Sequence, residues 1–169
     1  MSESELVDVI DLSRCKTGEV LPRGQLFAQK KHFLSVHVWL VNSQKQFLLQ
    51  KRNSDKKVDP GLWSVCGGVA KSGETSLQTA IRETGEEIGL KLRQEDMRLV
   101  MQCPECDKWG SLVDVWLTKV NVSLQDLSLR KNEVSDAGWF DVEQLKRMFA
   151  SGAASPNISF AFPAIGKML

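Results

Sequence analysis

The sequence lacks the features that mark several large classes of protein. No apolar run approaches the roughly 20 residues needed to span a bilayer, which excludes a helical membrane segment and gives no membrane role to expect. Neither sign of charge dominates: 22 Lys and Arg against 21 Asp and Glu leave a formal net charge of +1. A nucleic-acid polymer or an anionic membrane is therefore not an expected partner, and any phosphate recognition must be local. Histidine is scarce: His32 and His37 each stand alone near a predicted strand, where packing is the expected role. The N-terminal Met1-Ser2-Glu3-Ser4-Glu5 has none of the positive charge that opens a secretion signal. The four cysteines (Cys15, Cys66, Cys103 and Cys106) are accordingly expected as reduced thiols in a cytoplasmic protein. Cys103-Pro104-Glu105-Cys106 is a C-x-x-C, but no second such pair and no H-x3-H supplies the other ligands of a zinc site. Repeats and low-complexity stretches are absent as well.

What is present fits one globular domain over residues 1–169, with a core at about 33–150. The apolar fraction is 42% and the charged fraction 25%. A short apolar strand is expected at 6–11, then polar turn residues. Segments 35–42 and 46–50 read as a hairpin, and a charged loop at 51–61 leads to a short strand at 62–65. Thr75 followed by Gln78 fits a capping box, and Gly89 is placed to end the helix between them. Further strands are expected at 98–103, 112–120 and around 137–140, and a helix at 142–150. Ser151 to Pro156 breaks that helix, and 158–169 is an apolar tail, helical in pattern, that can pack on its own core or on a second subunit as a homodimer contact. Strands mixed with two or three helices predict the α/β (α+β) class: a mixed sheet covered by helices.

At 100° per residue, Leu77, Ile81, Thr84 and Ile88 share one stripe of the 75–89 helix, predicted to face the sheet. Glu83, Glu86 and Glu87 converge on another stripe, roughly 130° away. Local physics opposes that convergence. Like-charged neighbours cost about 0.2–0.5 kcal/mol per pair, and the dipole at the helix C-terminus disfavours Glu86 and Glu87 by a further ~0.3–1 kcal/mol each. A hard dication reverses both signs, and Mg²⁺ characteristically shares one or two carboxylates with substrate phosphates. Arg82 is placed to hold one carboxylate through a forked contact, with Glu74 as its partner. Gly67 and Gly68 are expected to let backbone come close to the metal. By itself an E-x-x-E-E triplet reads equally as a solvated acidic face.

The triplet is not alone. Gly68, Glu74, Arg82, Glu83, Glu86, Glu87, Gly89 and Leu90 satisfy G-x5-E-x7-R-E-U-x-E-E-x-G-U. In this the chain resembles the Nudix hydrolases over the 23 residues from Gly68 to Leu90. One position departs: Thr84 stands where a bulky aliphatic residue is usual, and its methyl can still face the core. The resemblance implies an α/β/α sandwich that cleaves nucleoside or other organic diphosphates. It implies Mg²⁺, with Mn²⁺ as a substitute, on Glu83, Glu86 and Glu87 with the Gly67 carbonyl, while Arg82 orients a glutamate. The proton acceptor varies in that family, and Glu105 and Glu133 are the candidates here.

Trp39-Leu40-Val41-Asn42, Gln50-Lys51-Arg52, Lys56-Lys57 and Pro60-Gly61-Leu62-Trp63 also look like the isopentenyl-diphosphate-isomerase-like branch of that superfamily. That likeness implies that Arg52 and Lys57 contact a diphosphate, as a basic loop near a metal can. Isomerisation itself is disfavoured. Cys66-Gly67 is followed by Gly68 where those isomerases carry a metal-binding histidine. Trp109-Gly110 is followed by Ser111-Leu112-Val113 in place of their acid. A non-catalytic sensor of a diphosphate metabolite is the remaining alternative, and it does not need three metal carboxylates.

Overall fold

The computed structural model describes residues 4–104 and 110–168. Nine strands and four α-helices appear among the described residues: β1 (Leu6–Ile10), β2 (Lys16–Pro22), α1 (Arg23–Ala28), β3 (Phe33–Val41), β4 (Phe47–Arg52), β5 (Trp63–Ser64), β6 (Cys66–Val69), α2 (Ser76–Ile88), β7 (Arg98–Cys103), β8 (Ser111–Lys119), β9 (Val134–Phe140), α3 (Val142–Ala150) and α4 (Phe162–Gly166). None of these helices is long and apolar enough to cross a membrane.

β3 organises the sheet. It runs parallel to β8 from Phe33↔Ser111 to Val41↔Lys119, and β7 adds antiparallel to the far side of β8. On its other edge β3 pairs antiparallel with β6 over Ser35 to Val38, then with β4 at Leu40 and Val41. β4 in turn pairs with β5 and β9. The two-residue period of a strand divides β3 between two cores. Val36, Val38 and Leu40 pack with Leu48, Trp116 and the α2 residues Ala80 and Ile88. Trp39 and Val41 pack on the opposite face with Phe47, Val115, Leu145 of α3, Ile158 and Ile165. The result is the expected mixed sheet between helices, an α/β/α sandwich.

The apolar tail packs on this chain's own core: Ile158, Ala161 and Ile165 are fully buried there. It is not one continuous helix. A 3₁₀ turn at Pro156–Ile158 and the short α4 replace it, because Pro156 and Pro163 each open a new helical start. The N-terminal region holds more structure than the polar turn predicted there. β1 and β2 pair antiparallel, and α1 follows. Val7, Val9 and Leu26 pin this unit to Phe33 and Val69.

The predicted ends of α2 are realised. Thr75 and Gln78 form the reciprocal capping box, and Gly89 adopts φ 74°. A Cβ at Gly89 would lie 2.7 Å from Ser128 Cβ. The buried face, however, is rotated from the predicted stripe. It consists of Thr79, Ala80, Glu83, Thr84, Glu87 and Ile88, with Leu77 and Ile81 half-buried. Two glutamates have therefore turned inward. Thr84 is fully buried, its hydroxyl donating to Ala80 O at 2.9 Å.

Candidate active site

The inward glutamates are tolerable only because the surrounding structure supplies donors. Glu87 is 4% exposed, and its Oε2 accepts from Gln50 Nε2 at 2.7 Å and from the Gly67 N–H at 3.0 Å. Glu83 is 1% exposed, and its Oε1 accepts from Arg82 Nη1 at 2.8 Å. Arg82 is itself held by Glu74, through Nε to Oε1 at 2.6 Å and Nη2 to Oε2 at 2.8 Å, the forked geometry that a planar guanidinium favours. Glu74 also accepts from the Lys71 N–H and the Thr79 hydroxyl. Burial works to raise the Glu74 carboxyl, but these donors outweigh it and hold it below the ordinary carboxylate value. Arg82 is pushed up in turn: burial opposes its charge, and Glu74 and Glu83 more than compensate.

Glu83 and Glu87 behave in the opposite way. Burial, resisted by Arg82 and assisted by the charges of Glu86 and Glu133, raises Glu83 to about 7. Burial and the Glu83 charge raise Glu87 to about 8, against the pull of Gly67, Gln50 and Arg52. The two carboxyls repel across a shared buried space and titrate as a pair. Cys66 lies against them, and burial together with Glu87 and Glu83 drives its thiol well above the usual range, which keeps it unreactive.

Glu86 points outward and is half-buried. Lys71 Nζ and Arg82 Nη1 each stand 3.6 Å from Oε1, and Arg130 Nη1 stands 3.3 Å from Oε2. Among the described residues no three Asp, Glu, His or Cys side chains close on a common point. Lys71 and Arg130 pair with Glu86 on its exposed side, while Arg82 Nη1 lies between it and Glu83. The helix C-terminus is also less hostile to negative charge than its sequence suggests. Ser128 N–H donates to Ile88 O at 3.0 Å and Arg130 N–H to Glu87 O at 2.9 Å, which satisfies two terminal carbonyls.

Gly67 also has a steric reason within the sheet. A Cβ there would lie 2.1 Å from Val36 O, so the pairing of β6 with β3 excludes a side chain.

Arg52 anchors its Nε on Val58 O at 2.9 Å, and its charge acts on Glu87. Lys57 is exposed on the same loop, while Lys56 reaches Glu133 Oε2 at 3.5 Å. Glu133 is 5% exposed and shares Arg130 with Glu86, its Oε1 lying 3.3 Å from Nη1. Burial works to raise Glu133, but Lys56 and Arg130 help to hold it below the ordinary value. Glu105, Cys106 and Trp109 lie outside the described residues.

Cys15 and Cys66 are free thiols, but Cys103 is disulfide-bonded, contrary to the expectation of four reduced cysteines.

Several site residues carry no sequence signal. Arg23, at the start of α1, has its guanidinium pushed down by burial. Glu5, Glu83 and Glu133 counter this, and Arg52 adds to it. Two arginines separated by 29 positions thus stand near one another, Arg23 acted on by Glu83 and Glu133 and Arg52 acting on Glu87. Gln50 could have been suspected, because it interrupts the apolar run Phe47-Leu48-Leu49 at an interior-facing position.

The NUDIX domain family model matches residues 31–158. The chain belongs to the Nudix hydrolase family. A Nudix hydrolase from Listeria monocytogenes, itself uncharacterized, is 34% identical over 150 residues, covering 88% of this chain and 87% of its own. Among solved structures, DR0079 from Deinococcus radiodurans superposes with a TM-score of 0.78 at 22% identity, over 94% of this chain and 98% of that one. A bifunctional NMN adenylyltransferase/ADP ribose pyrophosphatase from Francisella tularensis, complexed with AMP and a Mn ion, has a TM-score of 0.61 at 19% identity, over 79% of this chain and 40% of that one. The protein is thus an enzyme of the Nudix hydrolase type. Arg23, with β1 and β2, precedes the segment that the family model matches.

Proposed function

We propose that this Nudix hydrolase uses Mg²⁺ to cleave the diphosphate bond of a nucleoside diphosphate derivative or another organic diphosphate. The observation that carries the reading is the pair Glu83 and Glu87, buried side by side and both pushed toward the protonated state. Such a pair is costly as two anions and becomes favourable when a dication supplies the missing charge. The donors fit a hard cation. Oxygens of Glu83, Glu86 and Glu87 would hold it, joined by the Gly67 carbonyl. That N–H donates to Glu87, and the N–H and C=O of one strand residue leave on the same side, so the carbonyl belongs on the Glu87 side. When bound, the metal polarises phosphoryl oxygens and lowers the pKa of a water.

The chain's own groups divide the remaining work. Glu74 locks Arg82, which fixes Glu83. Arg52 and Arg23 offer two guanidinium forks for phosphate oxygens, with Lys57 on the loop beyond. Glu133, whose charge acts on Glu83, is positioned to take a proton from an attacking water. The Francisella structure, with AMP and manganese bound, supports a nucleotide derivative as substrate and Mn²⁺ as a substitute metal.

The test is a Mg²⁺-dependent screen of nucleotide sugars, dinucleotides, nucleoside triphosphates and isoprenoid diphosphates, followed by Glu86→Gln and Glu87→Gln on the best substrate. Each variant is expected to lose at least ~10²-fold in kcat, the several kcal/mol that a metal supplies. Full turnover in both would refute the assignment.

A further inference from the structure

Gln50 is a buried amide within the site, and nothing in the signature accounts for it. β4 carries it between two partners, with Ser64 of β5 and Ala137 of β9 opposite it in register, so its backbone is fixed on both sides. The side chain is 2% exposed. Both amide hydrogens are committed: Nε2 donates to Glu87 Oε2 at 2.7 Å and to Val65 O at 3.2 Å. A backbone carbonyl can only accept, so the amide orientation is decided by chemistry. The cost is visible on its other atom. Gln50 Oε1 is buried and makes no hydrogen bond among the described residues. Gln50 therefore satisfies one oxygen of the buried Glu87 carboxyl while leaving its own Oε1 stranded.

The two oxygens of Glu87 are consequently inequivalent. Oε2 already accepts from Gln50 and from the Gly67 N–H, two donors on different strands. Oε1 takes neither of these bonds, and the Cys66 thiol is a further hydrogen-bonding neighbour of the same carboxyl. We propose that Gln50 is a positioning residue: it occupies Glu87 Oε2 and thereby presents Oε1 to the metal. The inference rests on the metal assignment above, and it concerns the aim of the carboxylate, not its charge. Outer hydrogen-bond partners of metal ligands characteristically contribute ~10–100-fold in metal affinity or activity.

Mn²⁺ binding, read from the loss of the free-ion electron paramagnetic resonance signal, separates this role from packing and needs no turnover. Gln50→Met keeps the length, removes both donors and removes the stranded Oε1. The expected result is Mn²⁺ affinity ~10–100-fold below wild type, measured where circular dichroism shows the metal-free variant still folded, since the buried Glu87 loses one of its donors as well. Gln50→Asn keeps an amide one methylene short of Glu87, and it should lose Mn²⁺ affinity as well. Wild-type affinity in either variant would overturn the inference while leaving the metal site intact. No Mn²⁺ binding by the wild-type protein would overturn the metal assignment and this inference with it.

Discussion

Metal-free protein should become less stable as the solution is made more basic, over a range where most domains are indifferent to pH. The cause is the buried pair. Glu83 and Glu87 have an ordinary value of 4.5, and in the folded chain they stand at about 7 and about 8. Between those limits the folded state binds protons that the unfolded state has already released. Stability is thus fully present near pH 4.5 and is lost as pH rises through 7 and 8. Moving one carboxyl from 4.5 to about 7 corresponds to roughly 3 kcal/mol at 1.36 kcal/mol per pKa unit. Glu87, moving from 4.5 to about 8, corresponds to roughly 5 kcal/mol, and the coupled pair together to at least about that. At about 2–4 °C per kcal/mol for a chain of this size, the melting temperature should fall by on the order of 10 °C between about pH 5 and pH 9. The groups with lowered values, Asp8, Glu74 and Glu133, act below this window and do not mask the effect. Thermal denaturation in chelator and again in excess Mg²⁺ is the assay. The metal should flatten the profile by favouring the ionised pair, and Glu87→Gln should flatten it without metal. A metal-free melting temperature that holds or rises over the same range would refute the reasoning.

The other predictions concern residues outside the glutamate triplet. Arg23→Ala should raise KM for a diphosphate substrate about 10-fold with a smaller effect on kcat, since it removes a guanidinium that meets substrate and not the reacting proton; an unchanged KM would show that α1 is only scaffold. Gly67→Ala should destabilise the fold by at least ~1–3 kcal/mol in chemical denaturation, because the new methyl meets Val36 O at 2.1 Å. A wild-type midpoint would show that β6 can move away.

The elements best written in the sequence are those whose signal is local. α2 carries its own cap and its own stop, so both its ends were legible. β3 could be read because its run of strand formers is apolar on both faces, each of which meets a core. The hairpin of β1 and β2 was not, since Lys16 to Pro22 is mostly polar and exposed and takes its shape from pairing with β1. What turned the helix also lay out of reach. Leu77, Ile81, Thr84 and Ile88 form the more apolar stripe, yet the observed rotation buries Glu83 and Glu87, because Gln50, Gly67 and Arg82 supply hydrogen bonds there. Arg23, Lys71 and Arg130 join the site through long loops and pairings that no spacing rule encodes. Cys103 was misjudged for a related reason: cysteine count and the N-terminal charge pattern speak to average compartment, not to the pairing of one thiol.

Whether Glu83, Glu86 and Glu87 hold a dication can be seen in a crystal soaked in Mn²⁺ and measured at the manganese absorption edge. An anomalous peak is expected among the three carboxylates, with Glu86 released from Lys71 and Arg130 and with Glu87 Oε1 facing the ion. Glu86 still paired to those two cations, with no peak among the glutamates, would contradict the metal assignment.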